Sequence, residues 1–405
     1  MSKRQVIILW AAAAVLALLV IVIKIAQGDP DQVSTEREPG ETLFESFPAK
    51  QISRVVVEGP NDKLVIEQSG EQWVLQNRDN YPADTTLVLE LIRVLNDLEI
   101  TRAIEAAPSL APRFGMDPNG KTEEERGLEI GFFNKGGKEL ARVTLGKIIE
   151  TGINEGLMGG SQMVGRYIRN HADESGFYAS SELFPAFTDV ASSWLRDLFI
   201  NPEKIESIIV HQTDAGGIEW HLKRETEEAT FQVVGGAPNE VANTNLAGRL
   251  GTLFSYARFV DVVPAKDVPQ RMAKEGRLRA VIKTFEGFDY SLRITPTAKE
   301  DDDQYLLQVM VKATLPKERK KEEGESPEDA AQKDKAFADR LQHLKDKLSE
   351  AKFFEGRTYL MDKSSVDLLL YKRGEMVVSA APEPAPAPAP GPGQVPPLLT
   401  PPGQP

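Results

Sequence analysis

Four histidines are the residues best suited to acid–base or metal chemistry in this 405-residue sequence, which contains no cysteine. His211 and His221 flank one predicted hairpin and could meet across two strands as metal ligands. No third ligand stands near them in the sequence, and such pairs are more often ordinary strand residues. His171 falls in a predicted turn beside Asp173, and His343 on the polar side of a predicted helix. Without cysteine, thiolate catalysis and Cys-ligated zinc or iron-sulfur sites are excluded.

Other segments resemble catalytic or ion-binding motifs without completing one. The stretch ETGINEGLMGGSQMVGR has neither glycine-rich phosphate motif and leads into a predicted strand. Its Ser161 lacks the second glycine of a nucleophile elbow. The runs Asp301–Asp303 and Glu123–Glu125 lack the alternate spacing of a calcium loop, and we interpret both as solvated turns. Carboxylate pairs assembled from distant positions stay open. The sequence therefore predicts no particular catalytic, cofactor or metal residue and no enzyme.

The elements that would position any site follow one plan used twice. KQISRVVV at residues 50–57 has the apolar spacing of EKIESIIV at residues 203–210. Each is followed by short β-branched runs separated by turn residues, which predicts antiparallel strands. A helix comes next in both copies, with Ala83 aligned to Ala242 at a shift of 159. Asp84 or Thr85 can cap the first helix, and Asn243 takes the corresponding place in the second.

This repetition predicts two tandem α+β units, at residues 49–200 and 201–378, each with antiparallel strands and a helix. Downstream, residues 142–144 match residues 293–295, and GRYIRN at 165–170 aligns with GRTYLM at 356–361. The alignment predicts an insertion of about 40 residues in the second unit.

The insertion contains a charged helix at about residues 317–352, with Ser326 as its cap and Pro327 in its first position. Its apolar stripe consists of Phe337, Leu341, Leu344, Leu348 and Ala351. A stripe of two to three heptads is too short to establish a coiled coil. Two interpretations follow: the helix lies on its own domain, or it docks a partner.

The N-terminal region predicts a membrane anchor. Residues 6–23 form an unbroken apolar run, long enough for a helix to cross a bilayer core of about 30 Å. Lys3 and Arg4 precede it and an acidic segment follows, which places the N-terminus in the cytoplasm and the body outside. A cleaved signal peptide is the alternative, but its apolar region would be shorter and end at small residues.

The remaining boundaries follow from composition. Residues 1–26 form the cytoplasmic start and anchor, residues 27–48 a polar linker, and residues 379–405 a disordered tail rich in proline and alanine. The chain has 61 acidic and 48 basic residues, a net charge of −13. This charge argues against general binding to nucleic acid, because phosphate would be repelled over most of the surface.

Four short motifs carry a resemblance to a known family: WVL at Trp73–Leu75, FGMDP at Phe114–Pro118, VTLGK at Val143–Lys147 and RYIR at Arg166–Arg169. With the anchor and the opening strands, they resemble the bacterial family called domain of unknown function 4340. The resemblance implies a single-pass protein of the inner membrane with its body in the periplasm. It also implies association with gliding-type or other ABC transport systems, and it brings no catalytic residues.

Two hypotheses about function follow. The first is a membrane-anchored, non-enzymatic extracytoplasmic accessory or scaffold of an ABC-type transport complex. The alternative is an envelope ligand-binding protein or hydrolase with a site between the two repeats, because domain interfaces are common sites. A deep polar cleft between the repeats would favour the second hypothesis, and a filled interface would count against it.

Overall fold

A computed structural model describes residue 10 and residues 13–20, 33–151, 162–196, 198–212, 216–298, 303–322 and 324–380. Most of the predicted anchor, part of the predicted linker, Ser161 with most of its glycine-rich stretch, and the tail beyond residue 380 lie outside these ranges. Within them, no helix combines the length and apolar character needed to cross a membrane.

The body is α+β and rests on two large antiparallel sheets and one small one. The strands of the first sheet are β1 (Arg54–Glu58), β2 (Lys63–Ser69), β3 (Gln72–Leu75), β4 (Tyr81–Pro82), β5 (Arg102–Ile104), β6 (Leu128–Phe133), β7 (Glu139–Thr151), β8 (Gln162–Asn170) and β9 (Phe177–Ser180). Those of the second are β10 (Ile205–Gln212), β11 (Ile218–Lys223), β12 (Gln232–Val233), β14 (Asp261–Val263), β15 (Leu278–Thr284), β16 (Phe288–Pro296), β17 (Gln304–Ala313) and β18 (Thr358–Asp362). The small sheet pairs β13 (Glu240–Ala242) with β19 (Val377–Ser379).

The two large sheets follow the same sequence of connections. The first has the order β4-β3-β2-β1-β6-β7-β8-β9-β5, and the second the order β12-β11-β10-β15-β16-β17-β18-β14. Each begins with a meander, of four strands in the first sheet and three in the second, sends one short strand to the far edge, and then adds four strands beside the first strand. Antiparallel pairing alternates apolar residues toward one face, so each sheet has a core face and an outer face.

Helices occupy the connections. They are α1 (Thr85–Asn96), α2 (Glu123–Arg126), α3 (Ala191–Trp194), α4 (Thr244–Arg249), α5 (Val268–Arg271), α6 (Pro327–Lys352), α7 (Lys363–Leu370) and α8 (Arg373–Met376). The predicted cap Asp84 accepts hydrogen bonds from the backbone of Thr86 and Leu87. Asn243 accepts from the equivalent positions at the start of α4. Both predicted caps are therefore confirmed.

The second helix is shorter than the alignment predicted. α1 has 12 residues, whereas α4 has 6 and continues as a 3-10 turn over Leu250–Thr252. Gly248 and Gly251 lie where α1 has good helix formers, and glycine costs about 1 kcal/mol in a helix interior.

The alignment of residues 165–170 with residues 356–361 is wrong. Strand β8, which contains residues 165–170, pairs with β7 just as β17 pairs with β16. Strand β18, which contains most of residues 356–361, pairs with β17 as β9 pairs with β8. Both segments begin with Gly-Arg and contain a tyrosine, so they look alike in sequence, and only strand pairing distinguishes them. The insertion therefore occupies the place of the β8–β9 turn.

The polar linker predicted at residues 27–48 is partly packed against the body. Leu43 and Phe44 are buried, and the backbone N–H of Leu43 donates to Leu98 at 2.7 Å. Earlier still, the Arg37 guanidinium lies 3.3 Å from the buried carboxylate of Asp173. The packed part of the chain thus begins before residue 49, because apolar side chains within the segment join the core.

The inserted helix α6 lies on its own domain. Ser326 accepts from the backbone N–H of Asp329, which confirms the predicted cap. Leu344 and Ala351 are buried, and Leu348 packs against the same core. The second half of the stripe is therefore satisfied within the chain, as the first of the two interpretations required.

Candidate functional site

The region between the two sheets is filled by aromatic rings. The rings are contributed by Tyr81 from the first half and by Phe199, Phe259, Phe353, Phe354 and Tyr359 from the connection and the second half. The ring of Tyr81 lies 5.7 Å from that of Phe259 and 6.1 Å from that of Tyr359. One continuous core includes Val55 of β1 and Ile208 of β10. The described part of this interface is a packed interior with no deep polar cleft.

A buried arginine adds a polar link between the halves. Arg78 is 8% exposed, and its Nε donates to the Asp261 carboxylate of β14 at 2.7 Å. Its Nη2 donates to Asp62 in the β1–β2 hairpin. Burial opposes the positive charge, but the hydrogen bonds to Asp261 and Asp62 outweigh it, so the pKa of Arg78 is raised. This pairing holds the first hairpin against the second sheet.

A hollow lies between the connection joining the sheets and helix α6. It has a volume of about 660 Å³, and Leu198 and Glu203 line one wall while His343 and Glu350 line the other. Lys347 closes one end, with its Nζ 2.7 Å from Glu203 and 2.8 Å from Glu286. Burial disfavours the Lys347 ammonium, but these two carboxylates raise its pKa overall.

Tyr290 forms the base of this hollow. Burial, with Glu286 and Glu203 nearby, raises the pKa of its phenol to about 12. A phenol with this pKa keeps its proton at neutral pH and can donate a hydrogen bond. Among the lining residues the structure describes, no nucleophile is hydrogen-bonded to a base, so the hollow can hold a polar group but has no assembled catalytic pair.

The histidines do not converge with other metal ligands. His211 and His221 both lie on the outer face of the second sheet, on neighbouring strands. His171 is hydrogen-bonded to Thr144 at 2.8 Å, and His343 is exposed on α6. In the part of the chain that the structure describes, no three His, Cys, Asp or Glu residues are grouped to hold a metal ion.

The described residues of both acidic runs are exposed, and each run makes an ion pair. Residues 123–125 form most of α2, and Glu123 accepts a hydrogen bond from Arg166 at 3.1 Å. Of residues 301–303, only Asp303 is described, and its carboxylate pairs with Lys363 at 3.0 Å. Residues 123–125 are thus solvated as predicted, but they form a short helical turn because Thr122 caps it.

Three of the four family motifs meet at one place on the first sheet. The FGMDP segment lies against the VTLGK strand through backbone contacts that only glycine permits. A Cβ on Gly146 would lie 2.3 Å from the carbonyl oxygen of Phe114, and one on Gly127 would lie 2.4 Å from that of Leu145. Met116 and the buried Phe177 pack in the same small cluster. The motifs therefore form a packing junction.

The RYIR motif completes this junction through Arg166. Its Nε donates to the Gly146 carbonyl at 2.7 Å, and its Nη1 donates to the Leu183 carbonyl at 3.3 Å. Burial lowers the pKa of Arg166, opposed in part by the hydrogen bond to Glu123. Arg166 thus satisfies backbone carbonyls that the glycine packing removes from water, which is a structural role.

The two outer faces carry charges in different arrangements. On the first sheet, Lys63 pairs with Glu58 and Arg142 with Glu129, both at 2.6 Å. On the second sheet we define the basic face as five cations: Lys223, Arg279, Lys283, Arg293 and Lys312. Sequence reasoning missed this face, although its residues alternate with buried ones along β15, β16 and β17.

Comparison with protein-family models identifies the chain's family. The model described as "Domain of unknown function (DUF4340)" matches residues 73–307, more than half of the chain. The chain belongs to this family, as the motifs predicted. The match begins in β3 and ends in β17, so it spans parts of both sheets and leaves out α6. Searches of curated proteins and of solved structures found no match.

Proposed function

We propose that this protein is a membrane-anchored, extracytoplasmic, non-enzymatic accessory or scaffold component of an ABC-type transport complex. The observation that carries the proposal is the filled interior between the two sheets, where aromatic rings and the Arg78 pairs occupy the place a cleft would take. A rigid two-sheet body with large outer faces suits a protein that holds other proteins in position. The resemblance to the family supplies the partner class.

The body consists of two tandem related units in this proposal. The equal strand order of the two sheets supports it, as do the caps Asp84 and Asn243 at the start of equivalent helices. The units carry no shared polar constellation in the described residues, so the duplication repeats a framework.

The apolar run at residues 6–23 anchors the body to the inner membrane in this proposal, with the N-terminus in the cytoplasm. The chain contacts the body again at Glu36, whose carboxylate accepts from the backbone of Glu174 at 3.2 Å. Twelve residues, 24–35, therefore connect anchor and body, a reach of at most roughly 43 Å. The body would stay close to the bilayer, where transporter subunits are found.

The alternative, a ligand-binding protein or hydrolase, would use the hollow beside α6 and not the interface between the sheets. The interface between the sheets weighs against it, but the hollow of about 660 Å³ beside α6 is large enough for a small molecule. A high-resolution experimental structure with ordered density in contact with Tyr290 and Lys347 would favour this alternative.

Affinity purification tests the proposal. The full-length chain, tagged and solubilised from membranes in mild detergent, should recover the ATPase and permease subunits of a transport complex. A version lacking residues 6–23, exported by a cleavable signal, serves as the matched control and should recover less of them. Recovery of no transporter subunit, under conditions that keep a known transporter intact, would contradict the proposal.

A further inference from the structure

The outer face of the second sheet has three parallel rows of side chains. The central row begins at His221 and is otherwise apolar or hydroxylated, with Ile209 opposite His221 and Val281, and Ser291 opposite Met310. Cations flank it on both sides: Arg279 lies opposite Arg293 in one row, and Lys283 and Lys312 flank Asp289 in the other. The two flanking rows are four residues apart along each strand, which separates them by about 13 Å. Met310 is 55% exposed at the centre.

Most of the charges in these rows are not neutralised within the described part of the chain; the exception is Lys223, whose Nζ lies 3.0 Å from the Glu206 carboxylate. Arg279 is directly opposite both His211 and Arg293, and like charges in this position destabilise a sheet. Arg279 donates to the Ser291 hydroxyl and Arg293 to the Gln308 amide oxygen, both of which are neutral groups. Among the described residues, neither arginine forms an ion pair, and neither Lys283 nor Lys312 forms one. This face therefore has five cationic side chains and two carboxylates, Glu206 and Asp289. Its excess of positive charge contrasts with the net charge of −13 of the whole chain.

The basic face is also open over its central strands. Helix α6 packs on the opposite side, where Leu344 joins the core and Lys347 lies 5.5 Å from the ring of the buried Phe288. The segment around α5 covers only the far edge, where Val268 and Met272 pack beside Leu306. Arg279, Lys283, Arg293 and Lys312 are all exposed.

We propose that the basic face is a docking surface for an acidic surface of a partner protein. This inference rests on the proposed function, which makes that partner a subunit of the transport complex. An acidic partner would place carboxylates between the opposed arginines and remove their repulsion. Charge complementarity of this kind raises the rate of association and selects the partner.

The layout of the rows favours a protein over a lipid surface as the occupant. An apolar centre with a charged rim is the usual anatomy of a protein interface, and Met and Arg are enriched there. Membrane-surface sites present Trp or Tyr to the headgroup region. Among their described members, the three rows contain no Trp, Tyr or Phe.

Site-specific photo-crosslinking in intact cells tests the inference. Benzoyl-phenylalanine replaces Met310 in the full-length chain, and the same probe at Leu89, 52% exposed on α1, is the positional control. We expect a protein adduct at position 310 that is absent at position 89. Arg279→Glu and Lys312→Glu, one change in each flanking row, should each lower its yield about tenfold. Lys135→Glu with Lys138→Glu, on the exposed β6–β7 turn, should leave the yield unchanged.

The outcomes separate this inference from the proposed function. Arg279→Glu places a carboxylate between His211 and Arg293, so its thermal midpoint should equal or exceed that of the wild type, which shows that lost crosslinking is not lost folding. A lipid adduct, no adduct, or an adduct insensitive to both reversals overturns the inference, while co-purified transporter subunits would keep the proposed function. A charge-dependent adduct with a protein outside any transporter supports the docking surface and contradicts the proposed function.

Discussion

The two large sheets share an order of connections, but the charged side chains on their outer faces are arranged differently. On the first, Lys63 contacts Glu58, and Arg142 contacts Glu129 and Glu139. On the second, Arg279 and Arg293 face each other with only neutral hydrogen-bond acceptors. The difference shows that the same framework can carry ion pairs that stabilise the fold on one outer face and charged side chains without ion pairs on the other, where the proposed partner would bind.

The comparison predicts that cations of the first half contribute to folding. Arg166→Met should lower the free energy of unfolding by about 3 to 5 kcal/mol, because two backbone carbonyls lose their donor in a buried place. Urea denaturation measures this loss. Arg113→Met, an exposed cation on the neighbouring 3-10 segment, is the matched control and should change stability by less than about 0.5 kcal/mol. Equal effects of the two changes would contradict the structural role of Arg166.

The cations of the first outer face should also make the fold sensitive to acid through His171. Burial, then Arg169 and Arg142, lowers the pKa of His171 to about 4 from its ordinary 6.5. Above pH 6.5 the imidazole is neutral in both the folded and unfolded states, so it contributes no pH dependence. Between pH 6.5 and about 4 only the unfolded state binds the proton, so stability falls with falling pH, by about 2 to 3 kcal/mol in total.

Urea denaturation across this pH range measures the effect of His171. His171→Gln should remove that part of the acid dependence, whereas His343→Gln, at an exposed position on α6, should retain it. An unchanged pH profile in His171→Gln would show that other groups cause the acid sensitivity.

Much of the framework was predictable because it follows local rules. The caps Asp84, Asn243 and Ser326 each precede an apolar or charged helical run, and a capping side chain acts within three residues. The opening meander follows from turn residues and alternation. The pairing of β8 was not predictable in the same way, since residues 165–170 carry the same local signals as residues 356–361.

The surfaces that bear on function depend on tertiary contacts. The alternation of Arg279, Val281 and Lys283 shows that one face of β15 is polar, but only the fold shows that no helix covers it. The glycine junction likewise joins residues 115, 127 and 146 from separate segments. The filled interface was also not predictable, because only the fold brings the rings of Tyr81 and Tyr359, far apart in sequence, to within 6.1 Å of each other.

A third test concerns the two ion pairs of Arg142 on the first outer face. Arg142→Ala should lower the free energy of unfolding by about 1 kcal/mol, since it removes contacts to Glu129 and Glu139 that are partly exposed. The loss should shrink in 1 M salt, because screening weakens exposed pairs. Chemical denaturation at low and high salt measures both effects. A loss that does not depend on salt would show that Arg142 stabilises the fold by packing and not by its ion pairs, which would contradict the proposed difference between the two faces.

The smallest effect has the opposite sign and lies on the basic face. Arg293→Gln removes one of two directly opposed arginines and keeps a hydrogen-bonding side chain beside Gln308, so we expect the free energy of unfolding to rise by about 0.5 kcal/mol. Thermal denaturation of the full-length chain at low salt measures this gain, which should vanish when salt screens the arginines. A loss of stability would mean that groups within the chain stabilise the positive charge of Arg293, as carboxylates do for Arg142 on the first outer face.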